Sequence, residues 1–210
     1  MKESLPFRIV QYLIGNFVVT FGAVLMIRSS LGPAPYDLLF VHLKLTTPLT
    51  LGLSAFLIQS FIIVLVTIAR KRWRFLISFV ALALGGLALD FWDLLVLANY
   101  QPTDLMIRLL TYPLGLYFLT LGLATISTSK LAAVSFDELM YLLMDLFKTK
   151  KVVGVRLGIE ASGILLGLLV SFLGGIGWGE MTIASIAIVF ILPPLLQGQI
   201  RFLNRLGFIR

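Results

Sequence analysis

Residues 12–39 read YLIGNFVVTFGAVLMIRSSLGPAPYDLL, and residues 112–139 read YPLGLYFLTLGLATISTSKLAAVSFDEL. Laid on each other at a shift of 100, the two stretches align without a gap. Extended back to Arg8, the match gives nine identities in 32 positions. They are Arg8/Arg108, Tyr12/Tyr112, Gly15/Gly115, Thr20/Thr120, Gly22/Gly122, Ser29/Ser129, Leu31/Leu131, Asp37/Asp137 and Leu39/Leu139. Arg, Tyr and Asp are scarce in this chain, so the match is not a by-product of apolar composition. It marks an internal duplication.

Working outward, each copy opens with an apolar run long enough to cross a bilayer, which takes about 20 residues. Six such runs occur: residues 9–27, 49–69, 75–97, 107–127, 152–173 and 177–196. Composition agrees: 59% of the 210 residues are hydrophobic and 13% charged, with a mean hydropathy of +1.02. Soluble domains carry roughly a quarter charged residues. The first run, preceded by Lys2 and Arg8, is too long for a signal-peptide core and no small-residue cleavage site follows it. The runs are also twice the length of a transmembrane β-strand. The predicted class is all-α: a polytopic membrane protein of six transmembrane helices.

Three spans fall in each half, residues 1–98 and 107–198, with residues 199–210 as a basic tail. An odd number of spans makes the second repeat start on the opposite side, so the repeats are predicted to be inverted. Lys and Arg set the orientation. With the N-terminus inside, 13 of the 17 basic residues lie on cytoplasmic segments: Lys2, Arg8, Arg70, Lys71, Arg72, Arg74, Lys130, Lys148, Lys150, Lys151, Arg201, Arg205 and Arg210. Both termini are therefore expected in the cytoplasm, and the membrane is expected to be the plasma membrane. The net charge of +7 reflects these clusters rather than a nucleic-acid-binding face.

Function classes narrow by elimination. There is no cysteine and one histidine, His42, so neither disulfides nor a Cys/His zinc site is expected. No H-E-x-x-H, G-x-S-x-G, Walker or dinucleotide pattern occurs. The expectation is a non-enzyme without a cofactor.

The paired segments after spans one and four hold the candidate site. In SSLGPAPYDLL (residues 29–39), Gly32, Pro33 and Pro35 end one helix, and Pro35 suits the first turn of the next. In the second copy, Ser135 and Glu138 form an S-x-x-E capping-box pattern ahead of a short helix. Asp37 and Asp137 fall in the two first turns. Matching helix breaks in inverted halves mark the central site of many secondary transporters. Helix N-termini entering from opposite faces would suit an anionic group. The alternative is a pair of amphipathic helices on the two membrane surfaces, with the aspartates acting only as caps.

Polar groups within spans are functional candidates because their burial in lipid is costly. Asn16 and Thr20 share a helix face, Gln59 lies near the middle of span two, and Glu160 follows Arg156 at a pairing distance of one turn. Gln59 falls near Glu160 when the alignment is extended. Asp90 is deep in span three, while Asp93 is expected to reach the outer interface. Glycines at 15, 22, 115 and 122 are seven apart and predicted to face a neighbouring helix. In span five Gly154, Gly158 and Ser162 form a small-xxx-small stripe, with Gly163 and Gly167 beside it.

The duplicated G-x4-T-x-G pattern, followed by L-G-x-x-P-x-D-x-L, resembles the YczE/YyaS/YitT type of small bacterial integral membrane proteins. The resemblance rests on Gly15, Thr20, Gly22, Leu31, Gly32, Pro35, Asp37 and Leu39, and by span layout covers nearly the whole chain. Ala132, Ala133 and Ser135 replace the Gly/Pro break in the second copy. The resemblance implies a bacterial plasma-membrane protein and supplies no substrate.

The leading functional expectation is a secondary transporter of a small, anionic solute or ion bound between the repeats. Its substrate-binding residues would be Asp37, Asp137, Asn16, Gln59 and Glu160. The alternative is a non-transporting scaffold or regulatory protein that binds a partner on the cytoplasmic side, with QIRFLNRLGFIR (residues 199–210) on the inner leaflet. The lipid bilayer is the one partner both readings share. Oligomeric state is left open, a homodimer among the options.

Overall fold

A computed structural model describes residues 4–71, 78–129, 131 and 135–205. Among these residues the regular structure is all helical. The helices are α1 (Leu5–Arg28), α2 (Pro35–Thr46), α3 (Leu51–Arg70), α4 (Ser78–Asp90, running on as a π-helix over Phe91–Val96), α5 (Leu105–Ser129), α6 (Ser135–Leu146), α7 (Val152–Leu173) and α8 (Ile183–Arg205). Six of them are long and apolar enough to cross a membrane: α1, α3, α4 with its π extension, α5, α7 and α8. Short α2 and α6 fall at the two segments singled out by the alignment.

The last span differs from its expected limits of 177–196. Gly177 and Gly179 adopt φ of +62° and +54°, a left-handed backbone that delays helix entry to Ile183. The helix then carries on past Pro193 and Pro194 to Arg205, so residues 199–205 are its last turns. Lys2, Arg72, Arg74, Lys130, Ala132, Ala133 and Arg210 lie outside the described residues.

The chain forms two compact units. Unit 1 takes residues 1–34, 88–131 and 180–210, and unit 2 takes residues 35–87 and 132–179. Each draws on both halves of the sequence.

Unit 1 is organised by α1 against α5. The aligned glycines do what their spacing predicts. A Cβ on Gly22 would sit 2.6 Å from the Gly115 carbonyl oxygen, and one on Gly122 2.7 Å from that of Gly15. Only hydrogen fits between the two backbones. Thr20 and Thr120 are buried, and each satisfies its hydroxyl on its own helix, Thr20 on Asn16 O at 3.0 Å and Thr120 on Leu116 O at 2.9 Å. The helix ends are tied the same way. Arg8 Nε donates to Ser129 O at 2.6 Å, and Arg108 Nε donates to Ser29 O at 2.7 Å. Each arginine thus caps the C-terminal end of the other copy's first span, where carbonyls lack partners.

The π-helix carries Asp93. Asp93 lies near the end of its span, level with the last residue of α1; there it is fully buried and accepts from Arg28 Nη2 at 2.7 Å. The same nitrogen donates to Asp93 O at 2.6 Å. Arg28 at the end of α1 supplies the counter-charge that makes this burial affordable. Trp92 Nε1 donates to Phe17 O at 3.1 Å, with its ring between Phe17 and Phe21.

Unit 2 pairs each short helix with a span from the other half. Helix α2 runs alongside α7 in the same direction. A Cβ on Gly163 would meet Pro35 O at 3.2 Å and one on Gly167 would meet Leu39 N at 3.2 Å, while Gly174 lies against Thr46. The contact glycines of span five are therefore 163, 167 and 174. The predicted stripe residues Gly154 and Gly158 have no such neighbour: a Cβ on Gly158 would meet nothing within 4 Å, and one on Gly154 only its own-helix neighbour Lys151. Helix α6 runs alongside α3 in the same way. Ser135 Oγ donates to Gln59 Oε1 at 2.9 Å, Phe136, Leu139 and Leu142 pack on Ile62, Ile63 and Val66, and Arg70 Nη2 meets Asp145 Oδ2 at 2.8 Å.

Candidate functional site

The depth at which α2 and α6 begin follows from these contacts. Pro35, the first residue of α2, abuts Gly163, the twelfth residue of the 22 in α7. Ser135, the first residue of α6, bonds Gln59, the ninth of the 20 in α3. Both short helices therefore start level with the middle of a span and end level with its C-terminal end. Twelve residues of helix cover about 18 Å, roughly half of a hydrocarbon core about 30 Å thick. Residues Leu38 to His42 of α2 are buried on every side, which a helix lying on a membrane surface is not. Of the two alternatives raised by the sequence, these contacts favour half-depth helices.

The two N-termini meet. The rings of Tyr36 and Phe136, equivalent positions at the shift of 100, have centroids 3.6 Å apart. Ser135 is the first residue of its helix and directs its hydroxyl at Gln59, so it works as a tertiary anchor rather than as the cap that the S-x-x-E pattern predicts. Tyr36 Oη donates to Ile159 O at 2.9 Å, which fixes α2 on α7 one residue before Glu160.

Charge gathers at this meeting point. Arg156 Nη1 lies 3.6 Å from Asp137 Oδ1, and Arg156 Nε lies 3.7 Å from Glu160 Oε1. The predicted one-turn pairing of Arg156 with Glu160 is present, and the same guanidinium also reaches α6. Asp37, in the first turn of α2, has the Glu160 carboxylate as a charged neighbour, and Glu160 neighbours Asp137 as well. Among the described residues, no three His, Asp or Glu side chains are gathered as a metal ion would need.

Of the five site residues predicted from sequence, Asp37, Asp137, Gln59 and Glu160 lie together in unit 2, while Asn16 belongs to unit 1. There Asn16 receives the Thr20 hydroxyl on its carbonyl and hydrogen-bonds Tyr12 through its side chain. Three further participants were not singled out as site residues. Arg156 was read only as a partner of Glu160, Ser135 as a cap, and the Tyr36/Phe136 stack not at all. The alignment held the signal for that stack, since it sets one aromatic residue over another. His42 is fully buried in α2, its Nδ1 2.7 Å from Gly167 O. A carbonyl only accepts, so that nitrogen carries the proton and the residue serves packing.

Similarity to known proteins agrees with this picture. The chain is 26% identical over 199 residues to the uncharacterized protein YyaS of Bacillus subtilis (strain 168), covering 94% of this chain and 98% of that protein. That relative fits the resemblance drawn from the repeated motif. No solved structure matches the chain. A family model described as a family of unknown function, DUF6198, matches residues 6–193, and the chain belongs to that family.

Proposed function

We propose that this protein is a secondary transporter of a small solute, with its site where α2 and α6 begin in unit 2. The observation that carries the reading is the level at which both short helices start, halfway along the spans beside them. Broken or half-depth helices whose N-termini meet near the midplane are the usual substrate-binding device of transporters built from inverted repeats. Inversion is supported by the reciprocal contacts within each unit. Arg8 binds Ser129 as Arg108 binds Ser29, and α2 packs on α7 as α6 packs on α3. The lysine and arginine distribution favours both termini in the cytoplasm, and the family resemblance favours the plasma membrane.

Local charge refines the solute class. Helix N-termini alone would favour an anion, but here they already face Asp37, Asp137 and Glu160, with Arg156 as counter-ion. The surplus of carboxylates favours a small solute that bears a positive charge. Transport of this kind needs a gradient and no cofactor.

The purified chain in detergent, screened by thermal shift, tests this. Small cationic metabolites are expected to raise its melting temperature, because a ligand of the folded state stabilises it. Glu160→Gln should remove the effect. With no native cysteine, single cysteines at 37 and 137 also report access, and both are expected to be labelled through a water-filled path. No stabiliser in a broad screen, combined with a co-purifying protein partner, would favour the scaffold alternative instead.

A further inference from the structure

Helices α3 and α6 run side by side in unit 2 and end together, Arg70 Nη2 meeting Asp145 Oδ2 at 2.8 Å. Both stop in the same way. Lys71 follows α3 with φ +51°, and Lys148 follows α6 with φ +48°. Lys71 N donates to Ile68 O at 3.3 Å, while Lys148 N donates to Asp145 O at 3.3 Å and Thr149 N to Met144 O at 3.1 Å. A helix that closes on a left-handed residue usually has glycine there, because a Cβ is crowded in that conformation. Here two neighbouring helices have lysine. A cation does offset the negative end of a helix, but it can do so from a right-handed position in the last turn, as Arg70 does. At the strained position it projects from beyond the helix end, and strain of this kind persists where a function uses the residue.

The surroundings of these two lysines are basic and apolar by turns. From α6 into α7 the chain reads Leu146-Phe147-Lys148-Thr149-Lys150-Lys151-Val152-Val153. Lys71, Lys148, Lys150 and Lys151 are all exposed. Among the described residues none of the four has a carboxylate partner, and Asp145 is held by Arg70. Leu146, Phe147, Val152 and Val153 are exposed as well. Apolar side chains on either side of a basic run, at the ends of membrane-spanning helices, match the boundary of a bilayer. Acyl chains take the apolar groups and headgroup phosphates take the ammonium groups. An acidic peptide would satisfy only the second set.

We propose that the corner formed by the ends of α3 and α6 and the turn into α7 binds the headgroup of an anionic phospholipid, with Lys71, Lys148, Lys150 and Lys151 as its cations. By the orientation expected from the basic loops, the lipid belongs to the inner leaflet. The site requires only that the chain be embedded in a bilayer, so it is independent of the transporter reading.

Native mass spectrometry of the full chain in detergent, titrated with phosphatidylglycerol or with zwitterionic phosphatidylcholine, tests it. Phosphatidylglycerol is expected to bind about tenfold more tightly or better. Lys150→Gln/Lys151→Gln should weaken its binding about tenfold and leave phosphatidylcholine binding as it was. Lys71→Gly/Lys148→Gly should weaken it likewise. In phosphatidylcholine nanodiscs that glycine pair should also raise the melting temperature, because glycine relieves the left-handed backbone. Lost lipid preference together with gained stability is a result that a merely structural role does not produce. Arg201→Gln/Arg205→Gln removes two cations from α8 in unit 1 and is the charge-matched control, expected to change neither reading. An equal loss in that control would mean attraction by net charge alone, and overturns the proposal. A preference for phosphatidylglycerol that survives both lysine pairs overturns it too. So does a glycine pair that lowers the melting temperature, which would assign the two lysines to helix termination.

Discussion

Replacing Asp93 with Ala leaves Arg28 without its charged partner, and the structure indicates how much that should cost. The Asp93 side chain is 1% exposed and that of Arg28 14%, so water cannot readily take the place of the carboxylate. Removing one member of a buried pair costs about 3–5 kcal/mol. Two bonds survive the substitution, from Arg28 Nη2 to Asp93 O at 2.6 Å and from Nη1 to Ala98 O at 3.3 Å. They keep part of the guanidinium satisfied, which puts the expected loss at the low end, about 3 kcal/mol. Asp93→Asn keeps an acceptor near Arg28 and should cost less. The double variant Arg28→Met/Asp93→Leu should recover much of the loss, because no unpaired charge remains. Equilibrium unfolding of the reconstituted protein, followed by tryptophan fluorescence from Trp92, supplies all three values. A loss below about 1 kcal/mol for Asp93→Ala, in the range of exposed pairs, would refute the claim that this is a buried, structure-bearing pair. So would a double variant no better than the single.

Two other sets of substitutions check separate parts of the fold. Gly22→Val and Gly122→Val should each destabilise unit 1, and by similar amounts, because their contacts are reciprocal; overpacking of this kind costs about 1–3 kcal/mol or more, and Gly158→Ala, with open space around it, serves as the neutral control in the same unfolding assay. Ser135→Ala removes the bond to Gln59 and is expected to lose about 1 kcal/mol, an effect that Gln59→Leu should largely abolish in a double-mutant cycle.

The features legible in the sequence were those fixed by length, periodicity and repetition. Spans declare themselves because lipid demands about 20 apolar residues in a row. The glycine contacts of α1 and α5 were legible because a seven-residue spacing keeps Gly15 and Gly22 on one face. The burial and pairing of Asp93 were not legible for the opposite reason: its partner Arg28 is 65 residues away in sequence, and nothing local announces that pairing. The start of α8 at Ile183 lies beyond the expected limit because composition does not show how far the left-handed backbone at Gly177 and Gly179 postpones helix entry. Site residues followed the same division. Asp37 and Asp137 were found through the repeat, and Gln59 and Glu160 through their polarity within spans. Asn16 met the same criterion and yet lies in unit 1, since polarity in a span says that a partner exists but not which one. Arg156 was seen with Glu160 because a helix turn connects them; its second partner, Asp137, comes from another helix.

The duplication also bears on how such a site gains a direction. Backbone contacts are repeated faithfully between the halves. Arg8 and Arg108 cap opposite ends, glycines meet glycines, and Tyr36 stacks on its counterpart Phe136. Charge is not repeated: Glu160 and Arg156 have no charged equivalents in α3. Two half-helices of equal geometry but unequal charge give a centre that is symmetric in shape and polarised in potential. A site of equal charge on both sides would offer a proton or cation the same environment in either of two exchanged conformations. Here α7 brings Glu160 and Arg156 to the meeting point, while α3 brings the neutral Gln59. If that difference sets which charge the site accepts, Gln59→Glu, which adds a carboxylate on α3, should enlarge the thermal-shift stabilisation by small cations relative to neutral analogues of the same size. An unchanged preference in Gln59→Glu would mean that the asymmetry of charge between the halves does not govern the chemistry of the site.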